Sequence, residues 1–301
     1  RIGWTKDWVI DASGELAYVL EVDQTTGDWF IRNADKKKII SGQQKRGAVR
    51  LVGIGFDGTS VIYTERGENG TRWREIGQNG GEPRPFLPGI EWEDLFWSQQ
   101  TGYLTGYTIG EGDNERHVFV DKALQKKANR VRKTFSQYET IMEGWTSDLS
   151  DVLVRISGGK ESGSYFAVDL ETNRANAIAY ERKGIGPDAV GLASIFEYTA
   201  SDGLELDGVL TLPAGAEAKN LPVVVLPHGG PHSHNTVAFH WWAQAFASRG
   251  YAVFQPNFRG STNRDVTFQR AGYGEWGRKM QTDKSEGLAA LAEAGIVAPA
   301  R

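Results

Sequence analysis

The stretch that decides the fold is residues 221–260, LPVVVLPHGGPHSHNTVAFHWWAQAFASRGYAVFQPNFRG. Residues 222–226 are apolar and mostly β-branched without alternation, which is typical of a parallel strand buried on both faces. Two glycines and a proline then allow a sharp turn. A helical period follows over residues 237–248, with Gly250 as its C-cap, and residues 251–255 form a second buried strand. The stretch therefore predicts a β-α-β unit.

The loop His228-Gly229-Gly230-Pro231 directly follows the first of these strands. In α/β-hydrolases an HGG-type loop at this place supplies one backbone N–H of the oxyanion hole. Such a donor stabilises the negative oxygen that forms when a nucleophile attacks an acyl carbon, and removing one costs about 2.7–4 kcal/mol of barrier. We predict this role for the N–H of Gly230, with Gly229 as the second candidate. The alternative is a tight turn with no catalytic role.

Three motifs carry a family resemblance. HGGPH at residues 228–232 is followed by NFRGS at residues 257–261 and by GYGEWG at residues 272–277. The series resembles the prolyl oligopeptidase family of serine peptidases, nearest to its acylaminoacyl-peptidase-like and isopeptidase-like members. The resemblance is dense in motifs from about residue 195 to residue 301. Before residue 195 the resemblance lies in the predicted architecture and not in sequence motifs.

The resemblance implies site residues and also implies that some are missing. It gives loop-supporting roles to His228, Pro231, His232 and Arg259. It also implies a nucleophilic serine in a Gly-x-Ser-x-Gly turn, then an aspartate and a histidine. No such pentapeptide occurs in the 301 residues, and none of the five histidines suits the triad base. We expect the triad beyond residue 301, in a continuation or a second chain, and we expect the 301-residue chain alone to be inactive.

A repeat of about 44 residues runs through residues 1–182. Its first turn contains Gly14, Gly58 and Gly102, and a weaker fourth copy falls at residues 148–150. Two further turns follow in each copy. Three turns per unit imply four antiparallel strands, and this period is typical of a β-propeller blade. We therefore predict a partial β-propeller with about four visible blades; a β-sandwich with accidental spacing is the alternative.

The predicted fold class is thus a partial β-propeller followed by the N-terminal part of an α/β-hydrolase domain. The propeller occupies residues 1–182, and the hydrolase portion occupies residues 193–301. Residues 183–192 carry two glycines and a proline without periodicity, which indicates a linker. Because the first residue is Arg1 and no signal-peptide pattern follows, we expect the chain to begin inside a longer product.

Finer features of the hydrolase portion are also predicted. Alternation around the turn at residues 201–203 indicates a hairpin. Residues 283–294 predict an amphipathic helix in which Asp283 is a plain N-terminal cap. Residues 251–255 are expected to leave an unpaired apolar edge.

Composition limits the possible partners. The net charge of −4 gives no attraction to nucleic acid or to an anionic membrane surface. No run approaches the roughly 20 apolar residues of a membrane span. Cysteine is absent, which excludes disulfides and thiolate sites. Four histidines fall within 13 residues, but their loop-then-helix setting argues against a metal site. We expect no cofactor, and composition does not select a compartment.

The leading interpretation is part of a serine peptidase that cleaves amide bonds in short peptides through an acyl-enzyme, with the propeller limiting access. A peptide is the expected substrate. Two alternatives remain open: a carboxylesterase of the same hydrolase fold, and a non-catalytic propeller that binds a partner.

Overall fold

A computed structural model describes residues 4–44, 49–67, 70–110 and 115–298. These residues form two compact units. The first contains the described residues up to 110 together with residues 115–128, and the second runs from residue 129 onwards.

Each sheet of the first unit is an antiparallel meander, in which strands that are consecutive in the chain are neighbours in the sheet. The first sheet contains β1 (Trp4–Ile10), β2 (Leu16–Asp23), β3 (Asp28–Asn33) and β4 (Lys38–Gln43). The second contains β5 (Val49–Ile54), β6 (Ser60–Gly67), β7 (Gly70–Gly77) and β8 (Arg84–Pro85). The third contains β9 (Asp94–Trp97), β10 (Leu104–Ile109) and β11 (Arg116–Phe119). Side chains alternate along β2, where Tyr18, Leu20 and Val22 are buried.

The predicted first turn of each repeat is confirmed as the connection between the first two strands of a sheet. Gly14, Gly58 and Gly102 have φ angles of +87°, +70° and +70°, a region that favours glycine. The fourth copy has Leu149 at φ +50° instead. The repeat therefore persists in the backbone even where its glycine is lost.

Residues about one repeat apart contact each other in the first unit. The N–H of Leu51 donates to Oδ2 of Asp7 at 3.2 Å, and Nδ2 of Asn33 donates to the carbonyl of Gln78 at 3.1 Å. The first two sheets share one apolar core that includes Leu20, Ile31, Val61 and Tyr63. Neighbouring sheets are therefore stacked with the spacing that the sequence repeat has.

The third repeat departs from the prediction. The repeat predicts a fourth strand after residue 121, but helix α1 (Lys122–Thr134) lies there. Buried Ala128 and Val131 recur with a helical spacing, and Oδ1 of Asp121 accepts hydrogen bonds from the first turn of the helix. The helical period prevails over the strand expected from the repeat.

The second unit begins its sheet structure with another four-stranded antiparallel meander. Its strands are β12 (Glu139–Trp145), β13 (Asp151–Gly158), β14 (Glu161–Asp169) and β15 (Arg174–Tyr180). The described residues thus contain three meanders of four strands and one of three, and none closes on itself. The number of propeller blades stays a prediction.

A mixed sheet follows in the second unit, in the order β16-β17-β19-β18. Its strands are β16 (Ala193–Thr199), β17 (Glu205–Thr211), β18 (Val223–Val225) and β19 (Ala252–Asn257). The helices are α2 (Trp241–Ala247), α3 (Val266–Arg270) and α4 (Lys279–Glu293). The predicted hairpin is confirmed as β16 and β17, and the predicted parallel pair is confirmed as β18 and β19. Phe254, Leu206 and Leu291 are fully buried in the core of this sheet.

One expectation about this sheet is wrong. Residues 251–255 were expected to expose an unpaired edge, but β19 lies inside the sheet, antiparallel to β17 and parallel to β18. The hairpin provides the second partner, because Leu210 of β17 pairs with Phe254. In the described residues β18 is the outer strand, and Leu221 just before it makes a parallel bridge to Val297.

The predicted linker at residues 183–192 lies between β15 and β16 and contains a short 3-10 turn, Pro187–Ala189. Its last part is fixed to α2, because the side chain of Gln244 exchanges two hydrogen bonds with the backbone of Gly191 at 2.7 and 2.8 Å. The division into propeller, linker and hydrolase portion stays a prediction.

Candidate functional site

The predicted glycine loop lies at the carboxyl ends of two adjacent parallel strands. Residues 226–240 connect β18 to α2, and residues 258–265 leave β19. The N–H of Leu226 still donates to the carbonyl of Phe254 at 2.8 Å, so both loops start from the same edge of the sheet. Open α/β sheets bind their ligands in the crevice outside this edge.

His228 connects the two loops. Its Nε2 lies 2.8 Å from Oγ of Ser261, and its Nδ1 lies 2.8 Å from the carbonyl oxygen of Gly229. The imidazole stacks on the ring of Phe258, with centroids 4.5 Å apart and an interplanar angle of 12°. Burial lowers the pKa of His228 below its ordinary value of 6.5, and the nearby Lys284 ammonium acts in the same direction. The ring is therefore neutral at pH 7.

The peptide between Gly229 and Gly230 is held at its carbonyl oxygen, which faces His228. The carbonyl of Gly229 and the N–H of Gly230 belong to the same planar unit, so the N–H points away from the oxygen that faces His228. Both glycines are exposed, and in the described part of the chain neither N–H donates a hydrogen bond. Gly230 has φ +122°, and a Cβ there would lie 2.7 Å from the N atom of His232. Glycine is therefore required at residue 230.

Further contacts fix the remainder of the glycine loop. The peptide between Gly230 and Pro231 is cis, and the carbonyl of Pro231 accepts from the N–H of Ser233 at 2.9 Å. Three contacts run to the last residue of β19 or to the chain after it: His232 Nδ1 with Gln269 Nε2 at 3.1 Å, His234 Nδ1 with Thr262 Oγ1 at 2.9 Å, and Asn257 Oδ1 with the N–H of Asn235 at 2.7 Å. The sequence did not indicate the last two.

Arg259 is buried, and its guanidinium is shared by two carboxylates. Asp283 accepts from Nε at 2.8 Å, from Nη2 at 2.7 Å and from the backbone N–H of Arg259 at 3.0 Å. Asp202 accepts from Nη1 at 2.8 Å and from Nζ of Lys279 at 2.7 Å. These hydrogen bonds raise the pKa of Arg259 and hold the pKa of Asp202 well below its usual value. Because its Nε, Nη1 and Nη2 all donate to these two buried carboxylates, Arg259 braces the loop.

The expectation that Asp283 is a plain helix cap is wrong. Helix α4 begins at Lys279, so Asp283 lies in its second turn, and its side chain is fully buried. A buried guanidinium requires a carboxylate partner, and this requirement explains the position of Asp283 better than the helix dipole does. Sequence reasoning missed Asp202 altogether, since a turn aspartate gives no signal of a partner 57 residues away.

A second buried carboxylate ties the same region to the hairpin. Asp207 of β17 accepts from Nδ2 of Asn257 at 2.8 Å, from Nδ2 of Asn263 at 3.0 Å and from Nη2 of Arg264 at 2.8 Å. All three donors lie on the chain at or just after the end of β19. The two carboxylates Asp207 and Asp283 therefore fix residues 257–264 from two elements.

A cleft of about 620 Å³ lies beside the glycine loop. Its walls include His228, His234, Phe239, Trp241 and Gln255.

The four clustered histidines have separate partners; His240, for example, caps α2 by accepting from the N–H of Ala243. Among the described residues, no group of three or more His, Cys, Asp or Glu side chains is arranged to hold a metal ion. No helix in this part of the chain is long and apolar enough to cross a bilayer.

The mixed sheet with a glycine loop after its parallel strand is typical of α/β-hydrolases. Residues 237–301 match the model of the prolyl oligopeptidase family, Peptidase_S9. This match confirms the resemblance to the family that the motifs predict.

Individual relatives agree with this match. Dipeptidyl aminopeptidase BIII of Pseudoxanthomonas mexicana is 37% identical over 107 residues, which are 33% of this chain and 16% of that protein. The acylamino-acid-releasing enzyme of Sus scrofa is 37% identical over 67 residues, or 22% of this chain and 9% of that protein. The chain therefore matches only a small part of the length of these relatives.

Solved structures share the fold over nearly all of the chain. A puromycin-hydrolyzing peptidase from Mycobacterium tuberculosis superposes with a TM-score of 0.56 and 18% identity, covering 95% of this chain and 46% of that one. The structural neighbours are enzymes of the prolyl oligopeptidase family, which carry a β-propeller. The predicted fold class is supported to that extent.

Proposed function

We propose that this chain supplies the oxyanion loop of a serine peptidase that cleaves amide bonds in short peptides. The observation that supports this most directly is the Gly229–Gly230 peptide. Its carbonyl faces His228, and its N–H is exposed and, among the described residues, makes no hydrogen bond. A backbone donor held in this way needs no reorganisation when negative charge develops on a substrate oxygen.

The proposed reaction is an acyl transfer. A serine supplied by a further segment or by a second chain attacks the amide carbon, and the carbonyl electrons move to the oxygen. Gly230 N–H donates to this oxygen while a histidine, oriented by an aspartate, takes the serine proton and gives it to the leaving amine. Water then hydrolyses the acyl-enzyme. His228, Pro231, His232 and Arg259 hold the loop and do not react.

The substrate class rests on the relatives and on the stacked sheets. The matched proteins are named as a dipeptidyl aminopeptidase, an acylamino-acid-releasing enzyme and a puromycin-hydrolyzing peptidase. We extend to this chain the property that they share, cleavage of an amide bond. The antiparallel meanders are proposed to be blades of a propeller that restricts the site to short peptides.

Substitution of Gly230 by Ala in the active assembly tests the proposal. The added methyl group meets the N atom of His232, and we expect kcat to fall by about 10²–10³-fold, as for loss of one oxyanion donor. Gly229→Ala is the matched control, because a Cβ at residue 229 meets nothing within 4 Å. The readout is kcat for an amide and for an ester of the same acyl group, with circular dichroism to confirm folding.

Four outcomes contradict the proposal in different ways. Equal kcat for Gly230→Ala and wild type removes the oxyanion role. Hydrolysis of the ester alone favours the carboxylesterase. If a fluorophosphonate labels no serine in the assembly, the binding module is favoured. Serine labelling within the isolated 301-residue chain would contradict the placement of the nucleophile outside it.

A further inference from the structure

A second cavity of the second unit, of about 570 Å³, lies where the end of β15 meets the start of β14. Ile178 and Tyr180 of β15 and Ile185 of the following segment form an apolar wall, although they are 58%, 54% and 37% exposed. Lys160 and Lys183 also line the cavity. A cavity of this size with apolar walls and a few charged groups is typical of a small-ligand site.

The charges in the cavity favour an anionic ligand. Arg182 lines it as well, but its Nη1 donates to Oε2 of Glu181 at 2.7 Å, so its charge is compensated. Glu161 contributes a carboxylate to the lining, and its Oε2 accepts from the hydroxyl of Ser164 at 2.6 Å. Within the described part of the chain, the ammonium groups of the two lysines have neither a hydrogen-bond partner nor an ion-pair partner. Two unpaired cations that line one cavity attract an anion.

The walls are held in place by the protein itself. Oγ of the buried Ser162 donates to the carbonyl of Ile185 at 3.1 Å, and Nη1 of Arg182 donates to the carbonyl of Ser162. The N–H of Ile185 donates to the carbonyl of Arg182 at 2.9 Å. The segment after β15 is thus fixed to β14, and a ligand does not have to order it on binding.

β15 offers backbone groups beside the cavity. It is the outer strand of its sheet among the described residues, and all seven of its residues are exposed. The N–H and C=O groups on its free side can pair with an extended peptide. Tyr180 ends the strand, and Lys183 lies three residues further on (183 − 180). A peptide that runs parallel to β15 would therefore bring its C-terminal carboxylate to the lysines.

We propose that this cavity binds the C-terminal residue of an extended peptide when that residue is apolar. The carboxylate pairs with Lys160 and Lys183, and the apolar side chain contacts Ile178, Tyr180 and Ile185. The preceding residues of the peptide add a strand to β15. The site goes beyond the proposed function and does not rest on it.

Amide ¹H–¹⁵N spectra of the 301-residue chain, titrated with acetyl-Ala-Ala-Ala-Leu, test the proposal. Titration to about 10 mM covers dissociation constants up to the millimolar range. We expect shifts at residues 160, 178–180 and 183–185 and none at Gly230. The C-terminal amide of the same peptide lacks the charge and should bind at least about fivefold more weakly. Acetyl-leucine cannot pair along β15 and should also bind at least about fivefold more weakly.

Substitutions of the lysines test the charge. Lys160→Gln and Lys183→Gln should each weaken binding about two- to fivefold, and both residues are exposed, so the variants should fold as the wild type does. Lys219→Gln is the matched control, because Lys219 is an exposed lysine of the second unit that does not line the cavity. It should bind the peptide as the wild type does.

Several outcomes overturn the proposal. Absence of clustered shifts, or equal binding of the acid and its amide, removes the carboxylate site, and so does a loss in Lys219→Gln as large as that in Lys160→Gln. Equal binding of acetyl-leucine overturns the pairing along β15. The same shifts with inorganic phosphate, or equal binding of acetyl-Ala-Ala-Ala-Ser, overturn the role of the apolar wall.

The result is separable from that of the proposed function. Gly230→Ala should bind the peptide as the wild-type chain does, whatever its effect on kcat. Loss of peptide binding in a folded Gly230→Ala chain would place the peptide at the glycine loop and overturn the site beside β15.

Discussion

The sheets of the first unit and the glycine-loop region of the second are stabilised in different ways. In the first unit, contacts between sheets join residues about one repeat apart, as Asp7 and Leu51 do. In the glycine-loop region, buried charges join residues at irregular separations, as Arg259 does with Asp202 and Asp283. The stability of the first unit is therefore spread over many apolar contacts. The stability of the glycine-loop region depends on a few buried polar groups, each of which needs its hydrogen-bond partners.

The largest expected effect comes from removing a buried charge. Asp283→Asn leaves Arg259 with half of its compensation, and breaking such a pair costs about 3–5 kcal/mol of unfolding free energy. The matched change in the first unit is Lys6→Gln, which removes an exposed pair to Glu21 at 3.8 Å and should cost less than about 1 kcal/mol. Urea unfolding of both variants measures the difference. Equal losses would contradict the contrast between the two regions.

Turn geometry in the first unit should have an intermediate effect. Gly14→Ala places a side chain at φ +87° with nothing within 4 Å, so only backbone strain of about 1–2 kcal/mol is expected. Gly58→Ala adds a clash, because its Cβ would lie 2.4 Å from the ring of Tyr103 one repeat later.

Gly77→Ala is the control for these turns, since residue 77 has no positive φ and its Cβ would meet nothing within 4 Å. Thermal unfolding should rank the losses as Gly58→Ala, then Gly14→Ala, then Gly77→Ala. A larger loss for Gly14→Ala than for Gly58→Ala would show that adjacent sheets do not meet at these turns.

The smallest expected effect is a difference between the two regions in how their stability depends on pH. Burial lowers the pKa of His228, so the folded chain binds this proton more weakly than the unfolded chain does. The resulting stability is complete above about pH 6.5 and is lost as the pH falls below it. In the first unit, a hydrogen bond from Ser13 lowers the pKa of Asp11, so the stability of that turn is lost only as the pH falls below 3.8.

Amide spectra recorded between about pH 7 and pH 5 should separate these responses, because only the histidine lies near its ordinary titration range there. Resonances around Gly229 should move while those around Gly14 stay in place. His228→Gln should remove the movement. Movement at both sites, or persistence in His228→Gln, would assign the response to another group.

The sequence predicted those parts of the fold that depend on the spacing of residues over short distances along the chain. The turns at Gly14, Gly58 and Gly102, the hairpin, and the β-α-β unit all follow from residue spacing within a few turns of chain. The helix at residues 122–134 was missed because the repeat suggested a strand where local spacing was helical.

The glycine loop was found from its motif, but the groups that hold it were not. Asp202, Asp207 and Ser261 are common turn and strand residues, and each acquires its role only through a partner that lies far along the chain. The interior position of β19 was missed for a similar reason, since strand order is set by packing and not by local pattern. Oxyanion donation by Gly230 stays a prediction.

The placement of β19 between β17 and β18 has a consequence for synthesis on the ribosome. β18 and the glycine loop leave the exit tunnel before the strand that lies between β18 and the hairpin. The last anchor of the loop, Gln269, follows His228 by 41 residues (269 − 228). At about 5–20 residues per second, translation needs roughly 2–8 s to cover this distance. For that time the loop is a nascent segment without its anchors, and its geometry is fixed only after β19 has docked.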